Sequence, residues 1–447
     1  GVFGEYAPEL ISHAGDTFPD LCTSIFYKSD GVFGIMANVL ATSVVLFVIF
    51  GAFLEKCGAH RFFMSWPMAA VGHKIGGPGK VAVIASGLFG SISGSAIANT
   101  VSTGAFTIPL MKKAGFKPHV AGAIEPAASI GGMFLPPIMG AGGFIMAELT
   151  GIPYSQIMLI AIFPALMYFF SVFVMVHYEA KKHNIVGEKS EESAKAIFAR
   201  EWFYLLPLVA ITILMLAGYS PGYAAILGVV SCIVVSWFRK DTRIDIKGFI
   251  HASRAGAESS LKIGATVGVI GIIIGVLTYS GLVLTFADIV IELANGKLFL
   301  TILLIALASL VLGMGVPVTA AYLITAVVAV PALTHLGVNP IAAHMIVYWL
   351  SQDSNITPPV CIAAFAGATI AKADMWKTAF NAFKFAKFLY LAPFLFGYVP
   401  GFSLDGSATD IVIAFALIAL GTFAYSWFLS GIWIKPLKSR FAGAPKA

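Results

Sequence analysis

Apolar residues fall into long runs along this chain, and polar residues are confined to the joints between them. Runs span about Val32 to Leu54, Tyr154 to Tyr178, Trp202 to Gly218, Tyr223 to Phe238, Phe380 to Tyr398 and Ile411 to Trp433. Each approaches the roughly 20 residues that a helix needs to cross the hydrocarbon of a bilayer. Four further stretches begin in the same way but are interrupted halfway. Apolar residues from Val81 give way to "GSISGSAIANT" at Gly90 to Thr100 and then resume to Met111. The run from Pro118 to Leu149 is cut by "SIGGMFLPP", Leu298 to Leu336 by "GMGVPVTAAY", and Pro340 to Ile370 by "SNITPP". A proline removes a backbone donor and crowds the preceding turn, so the second and fourth of these read as broken helices. The first and third return to the side they started from and read as re-entrant helical hairpins. Such backbone is tolerated at membrane depth only where protein or a watery cavity covers it.

The interrupted stretches form two copies of one plan. The prolines pair at a single offset, since 331 − 109, 340 − 118, 358 − 136 and 359 − 137 all equal 222. Gly115 pairs with Gly337, Ala121 with Ala343 and Ser129 with Ser351 at the same spacing. A gap-free register over that many positions marks an internal repeat.

Composition fixes the surroundings. The 447 residues are 58% hydrophobic and only 11% charged, against roughly 25% charged in soluble domains, too few to cover a soluble surface. The predicted class is an all-α polytopic membrane protein in contact with the lipid bilayer. The net charge of +6 then reflects basic loops rather than affinity for nucleic acid. Cys22, Cys57, Cys232 and Cys361 form no CxxC pair, so neither a zinc site nor a disulfide framework is expected. Lys56, Arg61, Lys74, Lys80, Lys112, Lys113, Lys117, Arg239, Lys240, Arg243, Lys372, Lys377, Lys435, Lys438 and Arg440 gather on one side of this threading. The turns "TGIPY", "YSPGY" and "GFSLDGSATD" on the other side carry no Lys or Arg. The positive-inside bias makes the first side cytoplasmic. The two hairpins then open to opposite sides, giving repeats of inverted topology. The expected division is an outer-side segment 1–31, a first repeat 32–201, linking spans and an amphipathic arm 202–262, a second repeat 263–400, and a final span with a cytoplasmic tail 401–447.

Each repeat brings a hairpin turn and an unwound helix together near the bilayer midplane. A broken helix exposes unpaired carbonyls, which can coordinate a small hard cation, and N–H groups that favour a carboxylate. Gly94, Gly131, Gly132 and Gly315 allow the tight backbone; Ser95, Asn99, Thr319, Ser354, Asn355 and Thr357 add neutral oxygens and donors. Pro136, Pro137, Pro358 and Pro359 are the expected hinges. No Arg or Lys lies at either tip, so an anion would be held by dipoles, hydroxyls, amides and a bound cation. One glycine-serine cluster or one proline in a span ordinarily means close packing or a kink, but four breaks at matched positions favour a transport site. Acids at membrane depth are functional by default, as ion ligands or proton carriers. Asp353, beside "SNITPP", fits that description, whereas Glu125 is equally well a capped acid in a cavity wall. His119 and His344 read as boundary residues. "GSISG" lacks the spacing of a serine-nucleophile loop, so no enzyme is expected.

These motifs resemble the large membrane subunit of tripartite ATP-independent periplasmic (TRAP) transporters, in particular the fused permeases served by TAXI-type binding proteins. The carrying segments are "FGAFLEKCGA", "GSISGSAIANTVSTGAFTIPLMKKAGF", "EPAASIGGMFLPPIMGAGGFIMAE", "LGMGVPVTAAY" and "SNITPPVCIAAFAGA". The resemblance implies an elevator-type transporter of the ion-transporter superfamily in a bacterial or archaeal cytoplasmic membrane, with no cofactor and with Na⁺ as coupling ion, H⁺ being the alternative. It implies a first ion site at Gly94, Ser95, Gly132, Leu135 and Pro136, and a second at Gly313, Gly315, Val316, Asn355, Thr357 and Pro358. Substrate contacts are expected from Ser95, Asn99, Thr319, Asp353, Ser354 and Asn355. The cargo implied is a small organic anion of the dicarboxylate, keto-acid or amino-acid class, handed over by an extracytoplasmic binding protein. Fused relatives carry about four more helices upstream, so a truncation or a separate small membrane subunit is expected. A symporter needing no binding protein and an anion channel are the other readings.

Overall fold

The computed structural model describes residues 2–6, 8, 12–28, 31–314 and 316–433. Gly315, one expected ion ligand, and the basic tail residues Lys435, Lys438 and Arg440 lie outside the described residues. The described chain is helical, with one isolated bridge, Ile75 to Val186. Among the described residues, six helices are long and apolar enough to cross a membrane: Ile35–Lys56, Tyr154–His183, Ala194–Leu216, Ile246–Tyr279, Val318–His335 and Ala408–Ser430. Their outward faces keep large apolar side chains such as Phe163, Ile213, Leu417 and Leu420 exposed, which suits lipid rather than water as the surrounding solvent.

Four interrupted elements lie where the hydrophobic pattern broke. Hairpin 1 is Gly77–Ser93 followed by Ala96–Lys113, and broken helix 1 is Pro118–Gly131 followed by Gly140–Thr150. Hairpin 2 is Leu298–Leu312 with Val318–His335; broken helix 2 is Pro340–Leu350 with Ile362–Ala371. The repeat extends to backbone detail. Pro118 and Pro340 both open helices, where a missing N–H costs nothing. The peptide bonds Pro136-Pro137 and Pro358-Pro359 are both cis, and Met139 and Cys361 (361 − 139 = 222) are both left-handed, with φ of 56° and 32°. The two broken helices cross where glycines meet: a methyl on Gly367 would lie 2.2 Å from the Gly122 carbonyl oxygen. Small residues are what permit so close an approach between membrane helices.

Several expectations are revised. Ile246–Tyr279 is one helix of 34 residues, so the division between 202–262 and 263–400 falls inside a continuous element. The Asp245 side chain caps its start by accepting from the Gly248 N–H at 2.7 Å. Its glycines, at helix-compatible backbone angles, do not stop it, because propagation costs only about 1 kcal/mol per glycine. A further helix, Leu282–Leu293, precedes hairpin 2. The run from Phe380 to Tyr398 is divided between Met375–Phe385 and Phe388–Tyr398.

Two basic groups, Lys80 and Lys387, are buried. Lys80 lies inside hairpin 1 and reaches His177 Nδ1 at 3.2 Å, and Lys387 donates to the Ser171 carbonyl at 3.3 Å. Both heads find partners on the Tyr154–His183 helix, while their stems cover apolar surface. His344 is also buried rather than at a boundary, paired through Nδ1 with the Tyr322 hydroxyl at 2.9 Å. The amphipathic helix Ala59–Val71 is tied at its start, where Arg61 meets Asp241 at 2.6 Å; this guanidinium holds the Asp241 carboxyl below its ordinary range.

Candidate functional site: two hairpin turns at two helix breaks

Each hairpin turn is built to meet its own break. Hairpin 1 turns at Gly94, whose φ of 63° is left-handed, and Ser95, which accepts from the Ala98 N–H at 3.2 Å and so starts the returning helix. A methyl on Gly94 would sit 3.5 Å from the Gly140 Cα, at the start of the second half of broken helix 1. Just below, Gly90 and Gly132 touch so closely that a methyl on Gly132 would lie 2.4 Å from the Gly90 Cα. Hairpin 2 turns after Leu312, and a methyl on Gly313 would meet Ser354 Oγ at 2.8 Å. Thus Gly94 and Gly132 are gathered at the first break, and Gly313 and Ser354 at the second. Leu135, Pro136, Thr357 and Pro358 lie within the two unwound segments and are half-buried. Val316 is exposed, and Thr319 is half-buried one residue into the returning helix of hairpin 2.

Break 1 has its carbonyls satisfied by phenols. The Tyr154 hydroxyl faces the carbonyls of Pro137 at 2.9 Å and Ile138 at 2.7 Å. The Tyr348 hydroxyl, from the other repeat, faces those of Met133 at 2.7 Å and Met139. Unpaired carbonyls in an apolar interior cost free energy comparable to a lost hydrogen bond, so these phenols stabilise the unwound geometry. Phe134 is stacked on Trp349 with centroids 3.9 Å apart.

Break 2 is the reverse. Ser351, Gln352, Asp353, Ser354 and Asn355 are all buried. Among the described residues, Gln352 Nε2 and Oε1 and Asp353 Oδ1 have no hydrogen-bond partner. The Asn355 amide makes only a long contact, 3.4 Å, to the Gln352 carbonyl, and the Thr357 hydroxyl pairs with Tyr390 at 2.6 Å. A cluster of buried oxygens left without donors is a place that a cation can occupy. Asp353, Ser354, Asn355 and Thr357 lie together in this break, and among the described residues no hydrogen bond brings Val316 or Thr319 to them.

Glu125 has a different environment. It is fully buried, and Ser86, Thr103 and Thr107 donate to its carboxyl, with Ser129 at 3.4 Å. Asn99 completes this internal tie by donating to the Ser86 carbonyl at 3.0 Å, while its own Oδ1 has no partner among the described residues. Asn99 is thus held between the arms of hairpin 1. Hydroxyls at 86, 103 and 107 belong to different helices or turns, so their convergence carried no sequence signal. Tyr154, Tyr348 and Tyr390 were hidden in the same way among core aromatics.

Fold and site define a multi-pass helical membrane protein with two paired helix breaks, the second of which gathers the buried polar run Ser351 to Asn355. Residues 23–402 match the sequence model of the family described as "Tripartite ATP-independent periplasmic transporter, DctM component", and the chain belongs to that family. It is therefore a multi-pass inner-membrane component of a transporter. Among its relatives, the 2,3-diketo-L-gulonate TRAP transporter large permease protein YiaN of Escherichia coli is 23% identical over 363 residues, 80% of this chain and 84% of its own. The C4-dicarboxylate TRAP transporter large permease protein DctM of Pseudomonas aeruginosa is 23% identical, covering 86% of this chain and 91% of its own. The fold resembles the crystal structure of the Alcanivorax borkumensis YdaH transporter, with a TM-score of 0.56 at 17% identity, over 84% of this chain and 90% of that one.

Proposed function

We propose that this protein is the permease of a secondary active importer of a small organic anion, coupled to Na⁺ entry. The observation that carries this reading is the pairing of each hairpin turn with a broken helix, one of them rich in buried oxygens that lack donors. In the proposal both hairpins are re-entrant, the repeats are inverted, and the breaks bind Na⁺ at the residues given above. The bound cations offset the cost of bringing a carboxylate to a site without Arg or Lys. Hairpins and broken helices move together as an elevator against the long helices. The relatives named for 2,3-diketo-L-gulonate and C4-dicarboxylate both concern organic acids, which supports a carboxylate cargo. An extracytoplasmic binding protein, TAXI-type by the motifs of this chain, delivers that cargo, and a small membrane subunit completes the scaffold.

Uptake by the reconstituted permease, with binding protein and C4-dicarboxylate added, tests the coupling. Replacing Na⁺ by choline is expected to abolish accumulation. Accumulation that persists in choline and follows a pH gradient would instead favour proton coupling through Glu125 or Asp353.

A further inference from the structure

Tyr348 stands on the first half of broken helix 2, three residues before Ser351, yet its hydroxyl lies in break 1. It faces the carbonyls on both sides of that break, Met133 at 2.7 Å and Met139. A phenol has one proton to give, so it donates to one of these carbonyls at a time. The ring is fixed around that hydroxyl. It is 1% exposed, edge-on to Tyr322 at 5.3 Å and to Phe134 at 5.9 Å, and a methyl on Gly142 would lie 2.3 Å from its Cε2. The next residue, Trp349, is stacked on Phe134 of break 1 at 3.9 Å. Two consecutive side chains of repeat 2 therefore grip the unwound segment of repeat 1. The grip has no counterpart in the other direction, because the positions matching Tyr348 and Trp349 (348 − 222 = 126, 349 − 222 = 127) are Pro126 and Ala127.

We infer that Tyr348 is a positioning residue that couples the two breaks, so that ordering of either one orders the other. Any rearrangement of break 2 that moves the turn ending at Leu350 must move the Tyr348 hydroxyl against Met133 and Met139. Tyr154 provides the internal comparison. It supplies the same kind of hydrogen bond to Pro137 and Ile138 but sits at the start of the Tyr154–His183 helix, on an element that belongs to the first repeat. The consequence for transport, that the two ion sites fill cooperatively, rests on the Na⁺ reading above. The coupling itself does not.

Hydrogen exchange on the full chain in lipid nanodiscs without Na⁺ tests it. Tyr348→Phe is expected to speed exchange in both 132–139 and 351–357 by about fivefold, the size of one buried hydrogen bond. Tyr154→Phe is expected to speed 132–139 alone. If Tyr348→Phe speeds only 132–139, the tyrosine merely caps one break and the inference is overturned. Phe134→Leu, which loosens the Trp349 stack and keeps the phenol, gives the same paired readout should Tyr348→Phe fail to accumulate. Adding Na⁺ separates the two claims. Cooperative protection of both breaks in the wild type, split into two unequal midpoints in Tyr348→Phe, supports both. A wild type indifferent to Na⁺ removes the sodium reading, and the paired exchange rates still decide the coupling.

Discussion

Break 1 and break 2 share a cis Pro-Pro pair, a left-handed residue at Met139 or Cys361, and a helix that restarts at the next position. Their side chains have opposite consequences. Where repeat 1 carries Ile130 and Gly131, repeat 2 carries Gln352 and Asp353, each 222 positions later. The apolar pair leaves break 1 to be closed by phenols and a stacked Trp. The polar pair leaves break 2 with three side-chain atoms that no described residue satisfies. One backbone device is thus used twice, once closed by protein and once left with oxygens to offer. The proline and glycine pattern decides where the chain unwinds; the residues around it decide what the unwound segment can bind.

The largest effect is expected at break 2. Asn355→Ala or Thr357→Val should reduce reconstituted uptake by about 100-fold or more, as loss of an oriented oxygen at a preorganised site does. Melting temperature should change little, because neither side chain holds more than one hydrogen bond. Thr357→Ser, which keeps the hydroxyl, should retain most uptake. Normal uptake by either of the first two variants would move the second site elsewhere.

Glu125→Ala should mainly affect stability. It empties a fully enclosed site and strands the hydroxyls of Ser86, Thr103 and Thr107, at a cost of about 3 kcal/mol. Denaturation in detergent measures this. A change below about 1 kcal/mol would mean that the hydroxyls do not depend on the acid, and would favour an exchangeable proton there.

Glycine substitutions compare the two breaks directly. Gly132→Ala places a methyl against the Gly90 backbone, which cannot yield without parting hairpin 1 from break 1; about 2 kcal/mol is expected. Gly313→Ala meets the Ser354 side chain, which can rotate, and the Ser309 carbonyl, so about 1 kcal/mol is expected. A larger loss at Gly313 than at Gly132 would reverse the picture of a tightly closed first break and a looser second one.

Much of this architecture was legible before any coordinates. The breaks lie where Pro136-Pro137 and Pro358-Pro359 interrupt apolar runs, because proline acts on its own turn. The first hairpin turn follows from glycine at Gly94; Gly315, expected at the second, lies outside the described residues. Long-range packing was not legible. Nothing local distinguishes Tyr348 from any other core aromatic, since its partners lie 215 and 209 residues away. The continuous helix Ile246–Tyr279 reads as two segments in the sequence because its first half is polar and its second half apolar. The offset of 222 singles out Gln352 and Asp353 as polar replacements of Ile130 and Gly131.

The smallest structural effect, and the sharpest test of the contrast, is Asp353→Asn. The aspartate is 4% exposed, and its Oδ1 has no partner among the described residues. Holding such an oxygen in the interior is unfavourable unless something else supplies positive charge. Asparagine has the same shape, carries no charge and adds a donor. Melting without Na⁺ should therefore stay within about 0.5 kcal/mol of the wild type or rise slightly. With Na⁺ the order should change. A cation bound only by the folded protein stabilises it in proportion to the logarithm of its concentration, so the wild type should gain with each addition and Asp353→Asn should gain less. Equal Na⁺-dependent gains in both proteins would show that the unsatisfied oxygen at break 2 does not face the cation, and the asymmetry between the breaks would lose its functional meaning.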